Sequence, residues 1–316
     1  MDENRICRRL RSAFNVPAFA LLIYYVMMNG LVFIAVFAEV LLTVLFDGSI
    51  AMDQVLGNAV QNGCGYLLGT AIGAVVLLLW KKRQFCFSEI WKKRGSMSLS
   101  DFCALLCIFV SGQALFQILA IAMEFLFNQF GLSIVKSIET ASFTADSISM
   151  FLYVALIAPV FEEILFRGWI LRTLEPYGRK FAIFASAFMF GIFHGNPVQT
   201  PYAFAVGLVL GYVTVEYSMA WAIVLHVINN FVLGDILPRL MQLLPDFAGE
   251  LIWFVIIWCS AVAALVILLV NRHKIAVYLR NGKIHPLCLK SFFTSPGVLV
   301  LTGVMTVSMI LMLFMQ

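Results

Sequence analysis

Three short blocks of this chain set ionisable or strongly polar side chains into segments that are otherwise apolar enough to cross a bilayer. The blocks are EEILFR at 162–167, FGIFH at 190–194 and HVINN at 226–230. Charge inside a membrane is expensive, so it usually serves chemistry. A carboxylate with two imidazoles could activate a water molecule. The candidate residues are Glu162, Glu163, Arg167, His194, His226 and Asn230.

The first block holds two adjacent glutamates, which project about 100° apart on a helix and therefore cannot share one task. Glu163 and Arg167 are i,i+4 neighbours and could pair. Glu162 then faces elsewhere and could take and return a proton. The alternative is a purely structural ion pair near the end of the helix.

The other two blocks have plain structural alternatives as well. His194 ends an aromatic run in which Phe190 lies one turn below it, and a histidine at a helix end can simply bind loose backbone carbonyls. His226 and Asn230 are again i,i+4 neighbours, which polar contacts between membrane helices also use. The three blocks therefore indicate a catalytic site only when they are considered together.

Composition places the chain in a membrane, since 62% of the 316 residues are apolar, 12% are charged, and the mean hydropathy is +0.96. The predicted fold class is an all-α, polytopic membrane helical bundle of about 8–9 transmembrane helices. The fifth and sixth candidates are short and separated by Gly195-Asn196-Pro197, so a broken or re-entrant pair is the alternative to two full spans. The nine candidate spans lie near 17–46, 55–80, 101–128, 147–171, 181–195, 201–216, 219–237, 250–270 and 293–315.

The basic residues predict the orientation, because lysines and arginines concentrate in cytoplasmic loops. A cytoplasmic N-terminus puts 19 of the 21 on that side, and only Lys136 and Arg239 fall on the other. The net charge of +4 therefore reflects orientation, and no nucleic-acid partner is expected. The cytoplasmic basic segments are 5–11, 81–94, 167–180 and 272–290.

These boundaries give rough depths for the polar residues. At about 1.5 Å per residue, the expected depths below the cytoplasmic face are ~6 Å for Glu162, ~10 Å for His226, ~16 Å for Asn230 and ~20 Å for His194. That spread is too wide for one site unless helix tilt and boundary errors absorb much of it.

The domain organisation is expected to be simple. Residues 1–316 form a single membrane domain, 147–235 form its motif-bearing core, and 250–315 add two C-terminal transmembrane helices. The seven cysteines include no CxxC pair, which argues against a disulfide framework or a zinc ribbon. Glycines at four-residue spacing, such as Gly65, Gly69 and Gly73, predict close helix packing.

The ordered blocks resemble the CAAX prenyl endopeptidase and bacteriocin-processing (CPBP, or ABI) membrane proteases, whose pattern is EExxxR, then FxxxH, then HxxxN. The blocks match in order on successive helices and cover residues 162–230. The resemblance implies that Glu162 and His194 activate a water inside the membrane to hydrolyse a peptide bond. His226 and Asn230 would form the oxyanion hole, with Glu163, Arg167 and Phe190 in support.

A metal-free glutamate mechanism is favoured, with no cofactor, because Asn230 beside His226 suits an oxyanion pair and is an unusual zinc ligand. The alternative is a metalloprotease, in which Glu162, His194 and His226 would bind zinc and leave its fourth position to water. The HExxH helix that many zinc proteases use is absent from the sequence.

The expected partners are a peptide or protein substrate, apolar or lipidated at its C-terminus, and membrane lipid. Short loops favour a multi-pass protein of the bacterial plasma membrane. Two other functions stay open: a proton-coupled transporter, against which the lack of an inverted repeat counts, and a catalytically inactive immunity or scaffold relative.

Overall fold

The computed structural model describes residues 3–46, 52–80, 85–142 and 145–314, and within these ranges every regular element is helical. The predicted helical membrane bundle is therefore confirmed. A short π-helical turn, Phe85–Glu89, precedes the helix that begins at Leu99. The helices are α1 (Glu3–Phe46), α2 (Met52–Gln61), α3 (Cys64–Trp80), α4 (Leu99–Asn128, interrupted at Ser111), α5 (Val135–Ala141), α6 (Ile148–Tyr177), α7 (Arg179–Phe193), α8 (Gln199–Glu216), α9 (Met219–Gln242), α10 (Asp246–Val270), α11 (Arg272–Arg280), α12 (Pro286–Phe293) and α13 (Pro296–Phe314).

Seven spans among the described residues are long and apolar enough to cross a membrane: α1, α2 with α3, α4, α6, α9, α10 and α13. The fifth and sixth predicted spans, which are α7 and α8, are not among them. The 15 residues of α7 reach only about 22 Å, which is less than the roughly 30 Å of a bilayer core. Helix α7 therefore ends inside the bundle.

The helices α7 and α8 form a tight antiparallel pair joined by residues 194–198. Gly195 takes a positive φ of 59°, and Asn196 follows it with a buried side chain. Its Oδ1 accepts hydrogen bonds from the backbone N–H groups of Val198 and Gln199, and its Nδ2 donates to the Ser137 carbonyl. This turn satisfies the first backbone groups of α8 within the protein, which membrane depth requires.

Arg94, Arg172 and Lys180 lie together with helix α11 at one end of the bundle, which we call the basic face. Arg94 pairs there with Glu175, whose other oxygen lies 3.0 Å from Arg172 Nη1. Lys180 donates to the backbone carbonyls of Tyr278 and Asn281, so the first turn of α7 is tied to the segment around α11. These contacts explain why several positive charges can share one surface.

The basic-residue bias counts Arg167 on the cytoplasmic side, although the predicted span 147–171 includes it, and the structure places it within helix α6. The helix α6 continues to Tyr177, and the Arg167 side chain is fully buried beside Glu163. Glu162 lies 15 positions before Tyr177, the last residue of α6, which is farther from the helix end than the expected depth of ~6 Å assumes. At about 1.5 Å per residue its distance from that end is ~22 Å.

The first and last helices pack together around an aromatic core. Phe14 of α1 contacts Phe181 of α7 and Phe292 of α12, with ring centroids 4.9 and 6.1 Å apart. Asn15 Oδ1 accepts hydrogen bonds from the Ser295 hydroxyl at 2.6 Å and from the Gly297 backbone N–H at 2.8 Å. The C-terminal segment therefore closes the bundle against its N-terminus.

Candidate active site

The candidate site lies where α6, α7 and α9 meet, and two of these helices change their winding there. The stretches Tyr153–Ile157 and Ile164–Leu171 of α6 are π-helical, as is Ile228–Ile236 of α9. A π turn holds extra backbone and is frequent at functional sites. These stretches flank the glutamate pair and contain Asn230, so they set the direction of the polar side chains.

Glu163 is the buried anchor of the site. Its Oε1 lies 3.1 Å from Arg167 Nη1 and 2.8 Å from His226 Nδ1, and both carboxylate and guanidinium are fully buried. Within the described residues, Glu163 Oε2 and Arg167 Nε have no hydrogen-bond partner. A buried pair with unsatisfied atoms is costly, which favours a functional reason for keeping it.

Arg167 also connects the hairpin of α7 and α8 to the site. Its Nη2 donates to the Gly207 carbonyl at 3.4 Å, and its guanidinium carbon lies 4.1 Å from the centroid of the Phe190 ring. A cation over an aromatic face is attracted by the ring quadrupole. The guanidinium therefore contacts α7 and α8 in addition to Glu163 on its own helix.

Glu162 is the accessible carboxylate of the pair. Its side chain is 24% exposed, and its Oε2 lies 3.6 Å from His226 Nε2. The His226 ring thus stands between two carboxylates, with Nδ1 on Glu163 and Nε2 towards Glu162. The i,i+1 glutamates therefore face different surroundings, as their angular separation predicts.

His194 caps the end of α7, where the short helix delivers it to the site. Its Nδ1 lies 2.8 Å from the Phe190 carbonyl, which can only accept, so this nitrogen carries the proton. The Phe190 ring meets the His194 ring edge-on at 4.8 Å and the His226 ring at 5.8 Å. Both histidines therefore have Nδ1 engaged and present Nε2.

Asn230 lies beside this group with separate contacts. Its Nδ2 donates to the Val154 carbonyl at 3.1 Å, and its Oδ1 accepts from Asn229 Nδ2 at 2.9 Å. Among the residues that the structure describes, no hydrogen bond joins Asn230 to Glu162 or to either histidine. The structure thus brings Glu162, Glu163, Arg167, Phe190, His194 and His226 together and places Asn230 at their edge.

Sequence reasoning missed the residues that hold Asn230. Gln113 Nε2 donates to Asn229 Oδ1 at 3.0 Å and to the Tyr202 hydroxyl at 3.1 Å, and that hydroxyl donates to Asn229 Oδ1 at 3.1 Å. Asn229 was visible in the HVINN block, directly before Asn230. Gln113 and Tyr202 lie on α4 and α8 and carry no motif that could have marked them.

A metal site is not assembled in the described part of the chain, where no group of three or more His, Cys, Asp or Glu side chains could hold an ion. Both histidines have only Nε2 left for a ligand, since each Nδ1 is already engaged. The zinc alternative on Glu162, His194 and His226 stays a prediction.

Comparison with known proteins supports the motif assignment. Residues 144–232 match the family model described as type II CAAX prenyl endopeptidase Rce1-like. That stretch contains all three blocks and most of α6 to α9. No curated protein and no solved structure matches the chain. The resemblance to CAAX-type membrane proteases is confirmed over residues 144–232, which are similar to the type II CAAX prenyl endopeptidase Rce1-like family.

Proposed function

We propose that this protein is an intramembrane endopeptidase in which Glu162 is the general base. The proposal is based on the different burial and the different partners of the two adjacent glutamates. Glu163 is fully buried on Arg167 and His226, whereas Glu162 is partly exposed beside the His226 imidazole. A general base must reach its proton directly or through one water, and only Glu162 of the two can do so.

The reaction would run through a water held between the Glu162 carboxylate and His194 Nε2. The water oxygen attacks the peptide carbonyl carbon while one water proton moves to Glu162, which leaves a negative oxygen on a tetrahedral carbon. Collapse of that intermediate breaks the C–N bond, and Glu162 returns the proton to the departing amine. One carboxylate thus serves as base and then as acid.

The negative oxygen needs donors, and His226 with Asn230 are the proposed source. An Asn side chain has two N–H donors, and Val154 takes only one of those of Asn230. His226, when protonated, could donate from Nε2 while Nδ1 stays on Glu163. Losing one such donor typically lowers the rate about 100- to 1000-fold.

Glu163, Arg167 and Phe190 are proposed as supporting residues. Glu163 fixes the orientation of the His226 ring, as a carboxylate does for other catalytic histidines. Arg167 balances the charge of Glu163, and Phe190 packs between Arg167 and both histidines. None of the three needs to touch the substrate.

A metal-free mechanism is the proposed form of the chemistry. Its test is metal analysis of purified protein together with cleavage in the presence of a chelator. Full activity after chelation, in protein with less than one equivalent of bound metal, is the expected result. Loss of activity that returns on adding zinc would instead assign Glu162, His194 and His226 as ligands.

The proposed substrate is a peptide or protein that is apolar or lipidated at its C-terminus, in the bacterial plasma membrane. A quenched-fluorescent peptide library with farnesylated CAAX members tests the activity on detergent-purified protein. We expect cleavage by the parent and none above background by His194→Ala. Equal cleavage by both proteins would overturn the role of His194 in holding water.

A further inference from the structure

A large cavity lies beside Asn230, outside the group formed by Glu162 and the histidines. Its volume is about 990 Å³, at the upper end of the range for ligand pockets. Helices α4, α6, α8, α9 and α10 and residues 138–142 form its walls. The polar side chains that line it include Gln113, Gln117, Glu124, Tyr202, Asn229 and Asn230.

The cavity lies towards the end of the bundle opposite the basic face. Glu124 and Gln242 line it near the ends of α4 and α9, and Thr140 lines it from the segment between α4 and α6. All of these positions are remote from the basic segments that end α6 and begin α7. The cavity therefore runs from the face opposite the basic face inwards to Asn230.

A chain of hydrogen bonds joins the cavity wall to the site. Gln113 Nε2 donates one hydrogen bond to the Tyr202 hydroxyl and one to Asn229 Oδ1, and Asn229 Nδ2 donates to Asn230 Oδ1. Each step has one donor and one acceptor, so the chain fixes which way the Asn230 amide points. The Asn230 N–H₂ group is thereby kept on the side of Val154, where α6 carries Glu162.

The charge of the lining limits what the cavity can hold. Its polar groups are mainly side-chain amides, and no lysine or arginine occurs among the described residues that line it. Its carboxylate, Glu124, accepts hydrogen bonds from Ser133 and the Ile134 backbone N–H. A free C-terminal carboxylate would meet negative charge and no cation, whereas amides can pair with the backbone of an uncharged peptide segment.

We propose that this cavity is the substrate-binding cleft, which an uncharged internal segment of a polypeptide enters from the face opposite the basic face. The inference rests on the proposed protease function, because it assigns the cleft to the same site. The scissile carbonyl passes Asn230 to reach Glu162, and the cleft holds the residues on one side of that bond.

A pair of tryptophan variants on one helix tests the cleft by kinetics. Gln117 lines the cavity, whereas its neighbour Ile118 is 50% exposed on the outside of α4. Gln117→Trp should raise KM for a cleaved peptide at least about tenfold with a smaller change in kcat, and Ile118→Trp should change neither. A Gln117→Trp enzyme with the parent KM would overturn the cleft.

A C-terminal amide tests the substrate class in the same assay. Blocking the carboxylate of a cleaved peptide as an amide should lower KM or leave it unchanged. A KM that rises about tenfold or more on amidation would show that the free carboxylate is recognised and would contradict an internal segment.

Labelling needs no turnover and separates the cleft from the proteolysis. The two variants are Gln117→Cys in the cavity and Arg280→Cys at an exposed position on the basic face. Each is reconstituted in sealed vesicles of either orientation and treated with an impermeant maleimide. Mass spectrometry then measures the labelling at each position. We expect Cys at 117 to react only from the side opposite that of Cys at 280, and added peptide to slow it. Reaction from the same side would overturn the entry route even if the parent cleaves peptides.

If no peptide is cleaved although peptide protects the cysteine at position 117, the protease proposal fails and the cleft remains a peptide-binding site. If peptides are cleaved and the cysteine is never protected, the cleft fails and the protease proposal stands.

Discussion

Two adjacent residues of one type reach opposite environments in this protein. Glu163 is completely buried on an arginine and a histidine, and Glu162 keeps 24% of its side chain exposed. Helix geometry alone predicts the divergence, since neighbours project about 100° apart. The sequence could not say which residue would be buried until the partner helices were placed.

Removing the Glu163 charge should mainly affect stability. Glu163→Gln leaves Arg167 as a buried charge without a carboxylate, which typically costs about 3–5 kcal/mol. Thermal unfolding in detergent should show a clearly lower Tm for Glu163→Gln and a nearly unchanged Tm for Glu162→Gln. Equal unfolding temperatures for Glu163→Gln and the parent would contradict the anchoring role.

The Asn230 amide should depend on a residue that no motif marks. Tyr202→Phe removes one of the two donors to Asn229 Oδ1, so we expect kcat to fall several-fold with KM nearly unchanged. Tyr212→Phe, on the same helix α8 and without a hydrogen bond to this network, is the matched control. If both variants lose the same activity, Tyr202 does not position Asn230.

At the scale of elements, the lengths of two helices decide whether the site assembles. The sequence put Glu162 near ~6 Å depth and His194 near ~20 Å, because it ended the span of α6 too early. In the structure, Glu162 lies 15 residues before the last residue of α6, and His194 lies 15 residues after the first residue of α7. Both of these helix ends are at the basic face. Arg167 and Arg172 are counted with the cytoplasmic basic residues, yet both are buried, because Arg167 pairs with Glu163 and Arg172 pairs with Glu175.

The π-helical stretches are a second feature that the sequence did not predict. A π turn costs energy locally and depends on side chains from other helices, so periodicity along one segment does not reveal it. The stretches Ile164–Leu171 and Ile228–Ile236 begin directly after Glu163 and Val227. They shift the register of both helices beside the site.

The close packing of α7 on α8 should be sensitive to a single methyl group. A Cβ at Gly191 would lie 2.8 Å from the Thr200 carbonyl oxygen, so Gly191→Ala should destabilise the protein by about 1–3 kcal/mol. Because His194 follows three residues later, activity should fall as well. Gly303→Ala on α13, where the added atom meets nothing within 4 Å, should leave Tm and activity unchanged. Unchanged Tm in Gly191→Ala would contradict the tight hairpin.

At the scale of the whole molecule, composition and basic-residue bias predicted a helical membrane bundle, and the structure confirms it. Interactions between distant parts of the chain were beyond that reasoning, because apolar helices carry little information about their partners in lipid. The last helices were predicted only as an addition to the core. In the structure, α12 and α13 pack against α1, through Phe14 with Phe292 and through Asn15.

Asn15 should therefore hold the two ends of the chain together. Asn15→Leu leaves the Gly297 backbone N–H and the Ser295 hydroxyl without their acceptor, which should cost about 1–3 kcal/mol. Asn15→Asp keeps an acceptor oxygen and should recover most of the lost Tm. Equal Tm values for Asn15→Leu and the parent would show that this cap contributes nothing.

The most direct test of the account is the kcat/KM of the detergent-purified parent, Glu162→Gln and Glu89→Gln on one cleaved peptide. Glu89 is an exposed carboxylate near the basic face and serves as the charge-matched control. The general-base assignment predicts that Glu162→Gln loses at least about 100-fold while keeping the parent Tm, and that Glu89→Gln stays at the parent value. A folded Glu162→Gln protein with parental kcat/KM would contradict the central claim.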